Sequence, residues 1–211
     1  MKRLSPFIIL SISFFYSLAQ NDTIPVSASI EVNNIRATVY SNGNLFGNEF
    51  EGQFADKDFK IPVIRRAGLW VAGIDPAGNL KGAIHTDESD FQPGLIDPIT
   101  KQHIDFNKIW RVSREEILAH LEDFRDNQRI DDPISSIYEW PGRNNAHFQD
   151  YNGFDIPPDM DLAPFWDNNG NDIYEPDDGD YPILYTKGCH IPNFADEMLW
   201  FAYPDKTANR P

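Results

Sequence analysis

The sequence predicts a mainly β fold, sandwich-like, built of short strands and long ordered loops with one amphipathic helix. Three observations predict it. Sixteen Pro and 13 Gly are spread along the 211 residues and cut the chain into pieces too short for many helices. The pieces between these breakers are rich in β-branched and aromatic residues, and 15 Phe, 8 Tyr and 5 Trp supply one sizeable core. Only one segment carries apolar residues at a helical period.

Taken in order, the segment from Ile30 to Tyr40 (IEVNNIRATVY) reads as a strand ended by the turn Ser41-Asn42-Gly43-Asn44. Ala67 to Ile74 is a short apolar run, Asp75-Pro76-Ala77-Gly78-Asn79 is a turn, and Leu80 to Thr86 returns in rough alternation. Together they predict a β-hairpin with a buried first strand. Ser113 precedes a helix over 114–126: it caps the N-terminus with Glu116 as capping-box partner, and Ile117, Leu118, Leu121 and Phe124 fall on one face. Asp132-Pro133 and Trp140-Pro141-Gly142 break the chain beyond it, and Glu197 to Tyr203 (EMLWFAY) reads as a last strand. The expected organisation is a leader over 1–19, a β-rich domain over 20–142, and a loop-rich extension over 143–211 packed on the same domain.

The leader combines a basic start at Lys2 and Arg3, an apolar run from Phe7 to Phe15, and small residues at Ser17 and Ala19. That is the pattern of a secretory signal peptide, and the apolar run is too short to span a bilayer, so no transmembrane anchor is expected in the mature chain from Gln20. Without the leader the net charge falls from −15 to about −17. Such a surface repels phosphate backbones, which argues against nucleic acid and leaves divalent cations and extracellular protein or glycan partners. Cys189 is the only cysteine, so no disulfide forms within the chain.

The stretch from Asp167 to Pro182, DNNGNDIYEPDDGDYP, is the one segment with the spacing of a chemical device. Calcium loops place oxygen ligands at alternate positions, because a tight loop around the ion turns every second side chain inward. Asp167, Asn169 and Asn171 fit the first three positions, the Ile173 carbonyl the next, Glu175 the ninth and Asp178 the closing twelfth, which predicts a Ca2+ site over 167–178. Two details depart from the pattern: Asp172 stands where a glycine is usual, and the closing residue is Asp instead of Glu. Pro176 excludes a smooth run into an exit helix, so the loop is expected to be free-standing. The competing reading is a solvated turn, since Asn, Asp and Gly are what exposed turns are made of.

Trp70 and Trp200 lie in strand-like apolar runs and are expected in the core; Trp140 and Trp166 sit among Pro, Gly and Asn and are candidate ligand contacts on the surface. The five histidines lack metal-ligand spacing, and no nucleophile elbow, zinc-protease, phosphate-loop or dinucleotide motif is present. The acidic pairs Glu115-Glu116, Asp131-Asp132 and Asp177-Asp178 are better explained by a helix dipole, a turn and the calcium loop than by an acid and base facing across a substrate. An enzyme is therefore not the expected reading. The alternative is a carbohydrate-active hydrolase or carbohydrate-binding module.

Seven blocks recur in a recognisable order: NNIRATVYSNGNLF, AGLWVAGIDPAGNLKGA, DFQPG, IWRVSREEI, EWPG, LAPFWDNNGNDIYEPDDGDYP and ADEMLWFAY. From about Asn33 to Tyr203 this order resembles the N-terminal region of large secreted Bacteroidota surface proteins, which are exported by the type IX system and carry a C-terminal sorting domain. The resemblance implies a cell-surface or extracellular location, an interaction or scaffold role in an adhesin-like protein, and a last strand that pairs with residues further downstream. The sorting domain is absent from this sequence, so the resemblance also implies a truncated or short version of such a protein.

Overall fold

The computed structural model of the chain describes residues 24–47, 54–58, 61–85, 91–97, 99–158, 160–184 and 193–204. The leader, Cys189 and His190 lie outside these residues. The fold is mainly β, with short antiparallel strands, long loops and three helices. Among the described residues the strands divide into one four-stranded and four two-stranded sheets.

The first sheet has the order β1 (Ser27–Ile30), β2 (Ile35–Tyr40), β3 (Phe54–Asp56), β4 (Pro62–Ile64). The segment expected as one strand is thus two, folded back at 31–34, where the Asn33 side chain accepts from Ile35 N–H and tightens the bend. Asn107 fastens this sheet to the rest of the molecule, accepting from Ser41 Oγ at 2.6 Å and donating to the Ile24 carbonyl at 2.8 Å.

The hairpin of β5 (Trp70–Ile74) and β6 (Leu80–Ile84) forms as expected, closed by Asp75, whose carboxylate accepts from Ala77 and Asn79 N–H. The burial expected for its first strand is wrong. Every residue of β5, Trp70 included, is exposed, and β5 pairs with β6 in a two-stranded sheet. β7 (Leu95–Ile96) and β8 (His103–Ile104) make another small ladder.

β9 (Trp110–Ser113) leads directly into α1 (Arg114–Asn127). The capping box is complete: Ser113 Oγ accepts from Glu116 N–H, and Glu116 accepts from Ser113 N–H at 2.7 Å. The buried face of α1 is carried by Ile117 and His120, with Leu121 packed beside them, whereas Leu118 is exposed. Two short helices follow, α2 (Ser135–Tyr138) and α3 (Phe148–Asn152). β10 (Phe165–Trp166) pairs with β11 (Tyr181–Pro182), and β12 (Glu197–Trp200) pairs antiparallel with β9, matching Trp200 to Trp110 and Glu197 to Ser113. Met198 is buried in this pairing.

The core joins residues from both sides of residue 142, including Trp110, Ile117, Ile137, Trp140, Tyr174 and Met198. Phe106 sits at its centre against Trp110 (4.9 Å between ring centres), Phe154 (5.3 Å) and Phe148 (5.9 Å). Asn152 satisfies the buried indole by accepting from Trp110 Nε1 at 3.0 Å, and it also accepts from Lys108, which is paired to Glu139 at 2.7 Å.

Candidate functional site

The stretch from Asp167 to Asp180 is the loop of the β10–β11 hairpin, so its ends are held by a two-residue ladder and not by flanking helices. Its short side chains turn inward and wind the backbone around themselves. Asp167 accepts from Gly170 N–H (2.6 Å) and Asn171 N–H (3.2 Å) with one oxygen, and from Asp172 N–H (2.7 Å) with the other. Asn169 accepts from Asn171 N–H and Asn171 accepts from Ile173 N–H, each two residues on. Asn169 Nδ2 lies 3.2 Å from both a Glu175 and an Asp178 oxygen, and Asn171 Nδ2 also donates to Glu175. Four of the six expected ligand residues, Asn169, Asn171, Glu175 and Asp178, thus meet around the Asn169 amide, and Asp167 holds the backbone beside them. The sixth, Ile173, has only its N–H engaged in this network.

Asp172 explains one departure from the calcium-loop pattern. Its φ of 63° is the left-handed conformation that the usual glycine would supply, and Asp tolerates it better than most side chains. The carboxylate that replaces glycine is bound by Arg143 Nη1 at 2.6 Å, and the same nitrogen reaches Asp161 at 3.1 Å. Arg143 thereby pins the loop to the segment after α2.

Asp180, which lies outside the alternate spacing, organises the loop from beneath. It is fully buried and accepts from Asn168 N–H and Glu175 N–H, both at 2.8 Å, so one carboxylate ties the two limbs together. Burial pushes this carboxyl up to about 6; the two N–H bonds pull it down, and the charges of Asp167 and Glu175 push it further up. The only sequence signal for it was its place before the β-strand pair Tyr181-Pro182. Gly179, at φ 87°, lets the loop lie on α1, since a Cβ there would come 2.7 Å from the Phe124 ring.

A second polar group was also missed. Tyr138 Oη donates to Asp177 at 2.5 Å, and the other oxygen of Asp177 lies 2.7 Å from His147 Nε2. Burial favours the protonated carboxyl of Asp177, but the bonds from Tyr138 and His147 outweigh it and hold the group below its ordinary range. This trio joins the 3-10 turn Pro176–Asp178 to α2 and to the start of α3.

Trp140 is not a surface contact: it is 2% exposed, and its Nε1 donates to the Pro164 carbonyl at 3.2 Å. Asn145 makes this burial possible by donating to the Tyr138 and Trp140 carbonyls, which would otherwise be left unpaired in the core. Trp166 is half-buried, packed on the core and stacked on Tyr181. Beside the loop lies a cleft of about 560 Å³ with an apolar floor that includes Phe165 and Ile183 and a polar rim of Arg143, Asp161, Asp167 and Asp172.

Among the described residues, the carboxylates that bring three ligand oxygens within 4.8 Å of one another are Asp123, Asp126 and Asp131, not those of the loop. Asp123 is already engaged there, accepting from Asp131 and Asp132 N–H and so closing the turn after α1. In the loop, asparagine amides stand between the carboxylates. Among the described residues no helix is long and apolar enough to cross a membrane. No family model matches the chain, and no curated protein or solved structure matches it.

Proposed function

We propose that the chain is a secreted, calcium-stabilised interaction or scaffold module of an extracellular or surface protein, of the Bacteroidota type its blocks resemble. The observation that carries the calcium reading is the convergence of Asp167, Asn169, Asn171, Glu175 and Asp178 inside one loop whose sixth residue holds the left-handed turn. Turning the Asn169 amide over exchanges its N–H for an oxygen at the meeting point of the two carboxylates. An ion at that point neutralises charges that otherwise repel one another. The leader-like start and the acidic surface support export and a cationic or protein partner.

Calcium that binds only the folded state raises its stability as RT ln(1 + [Ca]/Kd), about 2.7 kcal/mol at 100 times Kd, which is several degrees in melting temperature. Magnesium is expected to do less, because it gives up its waters reluctantly for an irregular loop. Asp167→Ala should remove most of the calcium shift, and Asp105→Ala, outside the loop, should leave it intact. Equal melting temperatures in millimolar calcium and in excess chelator would refute the calcium reading.

The cleft favours a second reading, carbohydrate binding, because its apolar floor suits the C–H face of a sugar while Arg143 donates and the aspartates accept from hydroxyls. Titration calorimetry with cello-, xylo-, manno- and chito-oligosaccharides tests it. Binding that is lost in Asp161→Asn supports this reading, and no heat from any of the four series rules it out.

A further inference from the structure

Negative charge is unevenly placed along the chain. Residues 144–186 contain nine Asp and one Glu but neither Lys nor Arg, in a chain of net charge −15. The cleft beside the β10–β11 loop opens within this segment. Among its described lining residues Arg143 is the one cation, against the three carboxylates of Asp161, Asp167 and Asp172.

Arg143 does not exhaust that rim. Asp161 and Asp172 each give one oxygen to its Nη1, at 3.1 and 2.6 Å, and the second oxygen of each has no partner among the described residues. Because one nitrogen holds both, the two carboxylates stand within reach of a single further cation. Both side chains are open to solvent, 85 and 74% exposed. The floor beneath them is fixed in place: Ala163 N–H donates to the Pro141 carbonyl at 3.1 Å, and the Pro164 carbonyl accepts from Trp140 Nε1 at 3.2 Å. Leu162, Phe165 and Ile183 add apolar surface to a space of about 560 Å³, within the roughly 300–1,000 Å³ of ligand clefts.

We infer that this cleft takes a lysine side chain from an exposed segment of a partner protein, its stem along Leu162, Phe165 and Ile183 and its ammonium against Asp161 and Asp172. Charge and geometry select this occupant. A neutral ligand such as a sugar accepts hydrogen bonds from Arg143 and donates to the carboxylates, but it leaves their charge unopposed as it displaces water, whereas an ammonium pairs with both. An anion is repelled by the ten carboxylates of the segment. A bare divalent ion needs ligand oxygens drawn close together, and the carboxylates that achieve this among the described residues are Asp123, Asp126 and Asp131, none of which lines the cleft. Lysine carries both parts that the cleft can meet, an aliphatic stem for the floor and three N–H donors for the rim. The inference rests on the interaction-module reading, whose partner chemistry it names, and not on calcium: one Ca2+ cancels two of the ten acidic charges and leaves their sign unchanged.

Chemical-shift titration of the nitrogen-15-labelled chain with the capped peptide Ac-Gly-Leu-Lys-Leu-Gly-NH2 tests it, run in millimolar calcium and again in excess chelator. Saturable shifts centred on Phe165, Asp172 and Ile183 are expected in both conditions, weakening as sodium chloride rises from 50 to 500 mM. Norleucine in place of the lysine keeps the stem and removes the charge, so it should bind about tenfold more weakly, and glutamate should not bind. Asp161→Asn should weaken the lysine peptide about fivefold, whereas Asp150→Asn, an exposed acidic change outside the cleft, should leave it unchanged. Equal binding of the lysine and norleucine peptides, or a loss in Asp150→Asn as large as in Asp161→Asn, would overturn the inference. Silence from the lysine peptide in both conditions overturns the lysine site alone; silence together with oligosaccharide binding in the cleft overturns the interaction-module reading with it.

Discussion

Tyr174→Ala is expected to lower the unfolding free energy by about 3–5 kcal/mol, the cost of truncating a fully buried aromatic side chain where the surroundings cannot collapse. Collapse is blocked on several sides. The ring meets Phe165 edge to face at 5.1 Å, and Gly142 lies so close that a Cβ there would enter the ring. The hydroxyl donates to the Ile137 carbonyl at 2.8 Å, and the backbone N–H donates to the Arg143 carbonyl at 2.8 Å. Tyr174→Phe keeps the ring and removes only the hydroxyl bond. Its cost should be about 1 kcal/mol, because Trp140 N–H still donates to the same Ile137 carbonyl. Leu118→Ala, at an exposed position on α1, should be close to neutral. Urea denaturation orders the three variants, and a Tyr174→Ala no worse than Leu118→Ala would show that this end of the core is loosely packed. Because Tyr174 lies between Asp172 and Glu175 in the chain, the same variant should also weaken any effect of calcium.

That prediction draws on a contact which no pattern in the sequence contains. What the sequence does contain is local. The helix was legible because Ser113 and Glu116 cap it through bonds three residues apart, and the β5–β6 hairpin because Asp75 folds its own turn. The D-x-N-x-N spacing was legible for the same reason, Asn169 and Asn171 bonding the backbone two residues on and Asp167 the backbone three to five on. Burial was not, since it depends on which surfaces meet. The run AGLWVAGI is apolar enough to be a core strand, yet β5 within it is exposed along its whole length. Trp140-Pro141-Gly142 reads as an exposed turn, yet it passes through the core because Asn145, from further along, satisfies its carbonyls. His120 lies on the buried face of α1, where Leu118 was expected, because its Nε2 reaches the Asp180 carbonyl at 3.0 Å across 60 residues.

Asp180 gives the second large effect, and its sign can be worked out. Its carboxyl has an ordinary value of 3.8 and rises to about 6 on folding, chiefly through burial. The folded state therefore holds a proton that the unfolded state releases, and the stability this adds is fully present below pH 3.8 and lost as pH rises through about 6. Between those limits the loss is roughly 3 kcal/mol, because each pH unit separating the folded from the unfolded value is worth about 1.4 kcal/mol. Other groups titrate nearby with the opposite sign: burial lowers His120, and the bonds from Tyr138 and His147 lower Asp177, so both withdraw stability as pH falls. A comparison of the unsubstituted chain with Asp180→Asn cancels those shared contributions. Denaturation at pH 4.5, 5.5, 6.5 and 7.5 should show the advantage of aspartate over asparagine shrinking as pH rises, by about 2 kcal/mol over the range. A difference that is flat across these four values would mean that the Asp180 carboxyl titrates as it does in water. Calcium then connects the buried acid to the proposed ion, because a cation held by Asp167 and Glu175 offsets the two charges that help to raise Asp180. With saturating calcium the same pair of proteins should show a shallower pH dependence, with its midpoint moved below 6, whereas an unchanged curve would place any bound calcium away from these carboxylates.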